Sequence, residues 1–291
     1  MNLKDALSGK LSADEIDALN RSFEIIGDIG IIELGESLVS KKREIAQALV
    51  YIQNHVKVVL MKTGDVSGKF RVPEYEVVYE SKDRDFSWVP KGLRPSKATE
   101  TVHREHGCRF KIDPTVAYFS SKLASERGRI RDMVKDSERI LCLFAGVGPF
   151  AIVTARSKDV KVTGVEINPR AVAFFRENIV LNKVTDKVEV VEGDVCNVLS
   201  EIDGDYDRIM MPAPKNAYDF LEATLKMTRC GTVVHLYCFL SEEEVGTAAQ
   251  VISDRCRKAG YKVEVLLVRK CGNIGPYHYR IVIDFRVLSK H

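Results

Sequence analysis

Residues 140–157, ILCLFAGVGPFAIVTARS, have the pattern of a buried strand, a glycine turn and a helix in direct succession, and this pattern indicates the fold class. The uninterrupted apolar run at its start is typical of a strand that is covered on both faces. Gly146 and Gly148 then allow a tight turn, and a helical segment follows at 148–157. The stretch therefore predicts the first strand–turn–helix unit of an α/β domain.

The same alternation of strand and helix continues towards the C-terminus. It predicts a mostly parallel, doubly wound sheet, with the last two long strands, 261–271 and 278–288, as an antiparallel pair at one edge. The part before residue 115 mixes short strand-like pieces, one helical segment and a long polar stretch. We therefore predict three parts: a helical leader (1–20), a smaller α+β domain (21–114) and a Rossmann-like domain (115–291).

The composition is that of a globular protein and excludes several classes. Of 291 residues, 45% are hydrophobic and 29% charged, which excludes a mainly disordered chain and a collagen. The 44 Lys and Arg nearly balance 41 Asp and Glu, which excludes a simple polybasic nucleic-acid binder. The 7 scattered cysteines show no metal-binding spacing and predict free thiols. No apolar run reaches the roughly 18 residues that span a bilayer and the first residues are not a targeting signal, so we expect no membrane partner and a cytoplasmic location.

Three consecutive predicted strand ends carry residues suited to a nucleotide-like cofactor. Gly146 and Gly148 follow the first strand, Glu166 ends the second and Asp194 follows the third. A carboxylate in the Glu166 position suits the hydroxyls of a ribose, and Asp194 suits an exocyclic amine such as that of adenine. The glycine pair alone also fits an ordinary strand–helix turn. Because Ala151 takes the third position of the dinucleotide motif, an adenosine-bearing molecule without phosphates is favoured.

The wider pattern resembles a known family. The motifs ILCLFAGVGPFAI, VEINPRAV, ENIVLNKV and EGDV resemble class I S-adenosylmethionine-dependent methyltransferases. FAGVGPF, with FEIIGDIGII, SGKFRVPEYEVVY, TVHREHGCRFKID and YFSSKLASERGRI, is similar to the archaeal and eukaryotic tRNA (guanine-37 N1)-methyltransferase family, from about residue 20 onward. The resemblance implies S-adenosylmethionine as cofactor, the tRNA anticodon loop as partner, and a cofactor site formed by Phe144, Gly146, Gly148, Glu166, Asp194 and Pro214. No obligatory protein partner is evident, so we expect a monomer.

The resemblance also implies two catalytic residues. Methylation of guanine N1 removes a proton from N1 while negative charge builds on O6, so the site needs a carboxylate base and a donor near O6. The family's base matches Glu126 of SERGRI and its donor matches Arg71 of GKFRV. Without the resemblance, Glu126 reads as a helix-surface acid and Arg71 as a solvated loop charge.

The sequence departs from the family pattern at two strand ends. Cys142 stands where an acid usually ends the first strand, and Pro212-Ala213-Pro214 stands where Asn-Leu-Pro usually ends the fourth. Asn216 either replaces the missing Asn or caps the following helix. The family's extra N-terminal domain, which grips the tRNA elbow, is expected to be absent.

RNA contact is therefore expected elsewhere. The loop 81–97 carries basic and aromatic residues that either bind RNA or form a solvated loop: Lys82, Arg84, Phe86, Trp88, Lys91, Arg94 and Lys97. Arg127, Arg129 and Arg131 alternate after Glu126 and are predicted to line a phosphate track.

Two alternatives to the methyltransferase remain. The wybutosine-pathway aminocarboxypropyl transferase is a close relative that transfers the other arm of the same cofactor, although Gly-Pro-Phe and Glu-Ile-Asn-Pro here resemble the methylating branch. The other alternative is a catalytically silent protein that uses the same fold to bind RNA, which Cys142 and Pro212 favour.

Overall fold

A computed structural model describes residues 2–19, 23–64, 68, 70, 72–212 and 217–290. Arg71, Pro214 and Asn216 lie outside the described residues. Contacts divide the chain into two compact units, Met1–Ser121 and Lys122–His291.

The first unit is α+β, with one four-stranded sheet and one hairpin. Its sheet has the order β1-β2-β3-β4, in which only β2 and β3 of the described strands run parallel, and β5 pairs with β6. Its elements are α1 (Leu3–Leu7), α2 (Ala13–Ala18), β1 (Glu24–Ile26), β2 (Ile29–Ile32), α3 (Lys42–Ile52), β3 (Val58–Lys62), β4 (Tyr75–Glu80), β5 (Thr101–Glu105) and β6 (Cys108–Ile112), with 3-10 turns at Glu36–Lys41 and Lys91–Leu93.

Capping explains the two short N-terminal helices, and apolar burial anchors them. Asn2 with Asp5 and Ser12 with Glu15 form capping boxes that satisfy the free N–H groups of α1 and α2. Leu3 and Leu7 of α1 pack into the core formed by α3 and the sheet. The predicted leader helices are thus present, and they pack as part of the first unit's core.

The second unit carries a seven-stranded sheet of order β12-β13-β11-β10-β7-β8-β9. Strands β9, β8, β7, β10 and β11 are parallel neighbours, whereas β13 and β12 are antiparallel and close one edge. Its elements are α4 (Ala124–Met133), β7 (Arg139–Leu143), α5 (Pro149–Ser157), β8 (Lys161–Glu166), α6 (Pro169–Leu181), β9 (Val188–Glu192), α7 (Val195–Val198), β10 (Tyr206–Met211), α8 (Leu221–Leu225), β11 (Thr228–Ser241), α9 (Glu242–Val245), α10 (Ala248–Lys258), β12 (Tyr261–Gly275) and β13 (His278–Lys290).

This architecture confirms the predicted fold class and the antiparallel edge pair. The segment between β11 and β12 forms two helices, α9 and α10, because the helix is interrupted at Gly246 and Thr247. The chain runs from β7 to β8 and β9 on one side and then returns to β10 on the other side of β7. Such a switch point opens a crevice at the carboxyl ends of the strands, where ligands bind in doubly wound sheets.

Candidate active site

The predicted cofactor residues meet at one edge of the second unit's sheet. Phe144 follows β7, Glu166 ends β8 and Asp194 follows β9, and these three strands are parallel neighbours. Carboxyl ends of parallel strands lie at the same edge, so the structure brings these residues to the switch-point crevice. Pro214 follows β10 in sequence but lies outside the described residues.

The turn after β7 has an unusual backbone at three positions. Phe144, Gly146 and Gly148 all have positive φ angles, of 53°, 57° and 88°. Positive φ is uncommon for a bulky side chain and marks strain that is often found at functional sites. A Cβ at Gly148 would lie 2.1 Å from the ring of Phe175, so packing between the turn and α6 also requires a glycine there.

Glu166 organises the turn through its carboxylate. Its Oε2 accepts from the Gly146 N–H at 2.7 Å, and its Oε1 accepts from the N–H groups of Ile167 at 3.0 Å and Asn168 at 2.9 Å. Burial raises the pKa of Glu166 against the lowering effect of these bonds. Since a carboxylate has about four acceptor sites, Glu166 keeps acceptor capacity for about one ligand hydroxyl.

Asp194 and Phe144 also have structural partners. Asp194 is the N-cap of α7 and accepts from the Cys196 N–H at 3.1 Å. The Phe144 ring packs edge-on against Phe220, with 4.8 Å between centroids. Both residues therefore have a role in the fold beside the cofactor role that the sequence predicts.

Cys142, which replaces the family's acid, is fully buried in β7. Burial raises its thiol pKa to about 12, so it is a neutral side chain at physiological pH. Cys142 therefore supplies no negative charge at the end of β7, where the family resemblance predicts an acid.

Glu126 lies at the centre of a buried polar cluster rather than on a helix surface. It is in the first turn of α4 with no exposed side chain. Its Oε2 accepts from Arg129 Nε at 3.0 Å and from the Tyr237 hydroxyl at 3.0 Å. Its Oε1 pairs with Arg269, whose side chain is 45% exposed. One carboxylate oxygen is thus fixed from within, and the other faces a cation at the surface.

Strand register places this cluster level with the glycine turn. Met211 pairs with Leu236 and Met210 with Cys142, so Tyr237 lies level with the point where the chain leaves β7 and β10. The Tyr237 ring contacts Phe150 of α5, with 5.6 Å between centroids. Glu126 is therefore linked through one tyrosine to the helix that begins at the turn.

Sequence reasoning missed the partners of Glu126. Opposed residues of paired strands point to the same face, and pairing places Tyr237 and His235 of β11, Asp284 of β13 and Arg269 of β12 on one face. The available indication was a set of polar residues interrupting apolar strands, as in VVHLY and IVIDF. The predicted phosphate track is wrong, because Arg127 is buried and Arg129 pairs with Glu126 and Asp284.

The loop 81–97 in the first unit is less free than predicted. Arg84 binds both oxygens of Asp28, at 2.7 and 2.9 Å, and donates to backbone carbonyls, so it fixes the loop. Arg94 donates to the carbonyls of Val89 and Ser87. Arg104 covers the Trp88 ring at 3.7 Å. The lysines of the loop, by contrast, are exposed: Lys82, Lys91 and Lys97.

Two kinds of feature are absent from the described part of the chain. No group of three or more His, Cys, Asp or Glu side chains there is arranged to hold a metal ion. No described helix has both the length and the apolar character needed to cross a bilayer.

The N-terminal part and the C-terminal part of the chain each match a family of known proteins. The TRM5/TYW2 methyltransferase domain matches residues 101–266, and the TYW2 N-terminal domain matches residues 3–82. The tRNA (guanine(37)-N(1))-methyltransferase Trm5b of Pyrococcus abyssi is 39% identical over 92% of this chain and 76% of its own length. The tRNA(Phe) (4-demethylwyosine(37)-C(7)) aminocarboxypropyltransferase of Pyrococcus horikoshii is 29% identical over 99% of this chain and 96% of its own.

A solved structure agrees with these matches. The complex of aTrm5 and tRNALeu superposes with a TM-score of 0.81 at 26% identity, covering 99% of this chain and 78% of that one. The resemblance drawn from the motifs, including its aminocarboxypropyl transferase branch, is confirmed. The chain belongs to the TRM5/TYW2 methyltransferase family.

Proposed function

We propose that this chain is a tRNA (guanine(37)-N1)-methyltransferase that uses S-adenosylmethionine, with Glu126 as the general base. The observation that carries the proposal is the state of the Glu126 carboxylate. A buried anion is costly unless it is paired, and here Arg129 and Tyr237 hold Oε2 while Oε1 points to the half-exposed Arg269. In this proposal, Oε2 of Glu126 stays hydrogen-bonded within the protein, and Oε1 is the oxygen that accepts the N1 proton.

The chemistry at guanine needs two adjacent groups. N1–H and O6 are neighbours on one edge of the base, so a carboxylate that accepts the N1 proton must have a donor for O6 beside it. Glu126 Oε1 supplies the acceptor. Arg71, which the family resemblance assigns to O6, supplies the donor in this proposal, and Arg269 must leave Oε1 when the base arrives.

The crevice at the strand ends suits the cofactor. S-adenosylmethionine supplies an electrophilic methyl group on a sulfonium. Glu166 accepts from a ribose hydroxyl, Asp194 from the adenine amine, and Gly146 and Gly148 allow close approach of the backbone. Phe144 lines the turn, and Pro214 is assigned to the same site by its motif. This arrangement matches the acceptor capacity left on Glu166 and the shared edge of β7, β8 and β9.

The target is proposed to be the anticodon loop, from which the guanine is flipped into the site. The exposed lysines of the loop 81–97 contribute phosphate contacts. One chain carries both the base and the cofactor crevice, so we propose that it acts as a monomer. Because tRNA is its substrate class, we place its action in the cytoplasm.

Aminocarboxypropyl transfer is the second candidate. It is favoured by the match of residues 3–82 to the TYW2 N-terminal domain. A non-catalytic RNA-binding role would leave the fully buried, paired Glu126 without a purpose.

Methyl transfer to an unmodified tRNA transcript with G37 tests the proposal. Nucleoside mass analysis after reaction is expected to show 1-methylguanosine, and a matched transcript with A37 is expected to show no product. An aminocarboxypropyl adduct on a wyosine-precursor tRNA, with no product on G37, would establish the second candidate. Cofactor binding without any product on either RNA would establish the silent alternative.

A further inference from the structure

A row of polar side chains runs along one face of the sheet, from Arg208 of β10 to Glu126. Nη1 of Arg208, in β10, lies 2.7 Å from Nε2 of His235. His235 Nδ1 lies 2.7 Å from Oδ1 of Asp284, and Asp284 Oδ2 accepts from Arg129 Nη1 at 2.6 Å. The side chains of His235 and Asp284 are completely buried, and Arg208 is nearly so. Arg129 then donates to Glu126 Oε2.

The order of donors and acceptors in this row of side chains determines which atom of each residue carries the proton. A guanidinium has no acceptor, so Arg208 must donate to Nε2 of His235. The ring proton of the neutral histidine therefore lies on Nδ1 and is donated to Asp284. Glu138 holds Arg208 from behind with two bonds, Nε to Oε2 at 2.7 Å and Nη2 to Oε1 at 2.9 Å.

The result is an Arg129 guanidinium shared between two buried carboxylates. Asp284 accepts from Nη1 of Arg129, and Glu126 Oε2 accepts from Nε and lies 2.9 Å from Nη2. A planar fork held at both sides has one orientation, and that orientation directs Glu126 Oε2 inward and Oε1 outward. Stability alone does not account for such groups in apolar strands, because well-packed apolar residues are often as stabilising as a buried ion pair.

We propose that Arg208, His235 and Asp284 are positioning residues for catalysis: they fix Arg129 and, through it, the orientation of the Glu126 carboxylate. The proposal rests on the proposed role of Glu126 as the base. It adds a buried relay, spread over three strands, to the residues that determine the rate.

Asp284→Asn is the test variant, because it keeps the volume and removes the charge. The amide oxygen serves either His235 or Arg129, and the amide nitrogen faces the other as a second donor. We expect single-turnover methyl transfer to fall about 10- to 100-fold, as small misplacements of reacting groups do, while the dissociation constants for tRNA and cofactor change less than about twofold. Arg286→Gln, two residues along β13 in the surface pair with Glu264, is the matched control and is expected to keep the wild-type rate.

A double-variant cycle separates positioning from general loosening of the fold. If Asp284 acts through Glu126, adding Asp284→Asn to Glu126→Gln causes no further loss of rate. A further loss of the same factor would overturn the relay. If Asp284→Asn does not melt cooperatively, the same cycle is run with Arg129→Lys, which keeps the cation but not the fork.

The outcomes also separate the relay from the assignment of the base. A slow Glu126→Gln with a wild-type-like Asp284→Asn refutes the relay alone. A wild-type rate in Glu126→Gln refutes Glu126 as base, and the relay with it.

Discussion

Tyr237 donates a hydrogen bond of 3.0 Å to Oε2 of Glu126, and the same ring contacts Phe150 in the helix that begins at the glycine turn. The Tyr237 side chain, which is almost completely buried, therefore contacts both the proposed base, Glu126, and the helix that follows the glycine turn. Burial is the main reason that its pKa lies above the ordinary value of 10.0, so the hydroxyl remains a donor at all physiological pH values.

Tyr237→Phe is expected to slow single-turnover methyl transfer about 10- to 100-fold, since a hydrogen bond to a charged group contributes about 1.5–3 kcal/mol. The ring contact with Phe150 remains, so cofactor affinity should hold. Tyr279→Phe is the control, because it removes a tyrosine hydroxyl of the same sheet that donates to the exposed Glu242. An unchanged rate in Tyr237→Phe would show that the hydroxyl does not hold the base.

Glu166→Gln is expected to weaken S-adenosylmethionine binding about 10- to 100-fold, measured by calorimetric titration. Its amide nitrogen cannot accept from the backbone, so either Gly146 or the pair Ile167 and Asn168 loses a partner. Glu201→Gln, at an exposed site after α7, should leave affinity unchanged. Equal affinities for both variants would refute the crevice assignment.

The stability of the protein should fall as pH decreases from about 7.5 to 5 because of His235. Burial lowers its pKa below 6.5, against the effect of Asp284. Below the unfolded pKa of about 6.5, the unfolded chain binds a proton that the native state refuses, so the free energy of unfolding decreases. Urea midpoints measure this slope. It should be shallower in His235→Asn and unchanged in His55→Asn, whose histidine is exposed; identical slopes in His235→Asn and wild type would contradict the buried neutral histidine.

Replacing Lys82, Lys91 and Lys97 by alanine should weaken tRNA binding and flatten its salt dependence. Each lost phosphate contact reduces the slope of log K against log salt by roughly 0.7–0.9. The matched control replaces three exposed lysines of the second unit, Lys226, Lys258 and Lys262. If both triple variants have the same slope, the loop does not contact RNA.

The fold was predictable where local pattern and packing agree. The stretch 140–157 places β7, the turn and α5 at the predicted residues, because apolar runs and glycines act within a few residues. Arg84 shows the opposite case. Its partner Asp28 is 56 positions away in the sequence, so the same residue that reads as a loop cation is a structural clamp.

The site was predictable in its named residues but not in its connections. The motifs identify Glu126 and Glu166, whereas the relay joins residues from α4, β10, β11 and β13, and only strand register brings these together. The residues next to a single histidine or aspartate in a strand do not show which distant side chains it will contact in the folded sheet. The roles of Arg71 and Pro214 stay predictions from the family resemblance.

The most direct test of Glu126 as general base is the single-turnover rate of Glu126→Gln at saturating tRNA and cofactor. The variant keeps the side-chain volume and a hydrogen-bonding oxygen but cannot take the N1 proton at neutral pH. With Glu126 as the base, we expect a rate lowered by roughly 10²–10⁴-fold with near-normal binding of both substrates. A wild-type rate in Glu126→Gln, in a protein that melts cooperatively, would contradict this role of Glu126 and require another acceptor for the N1 proton.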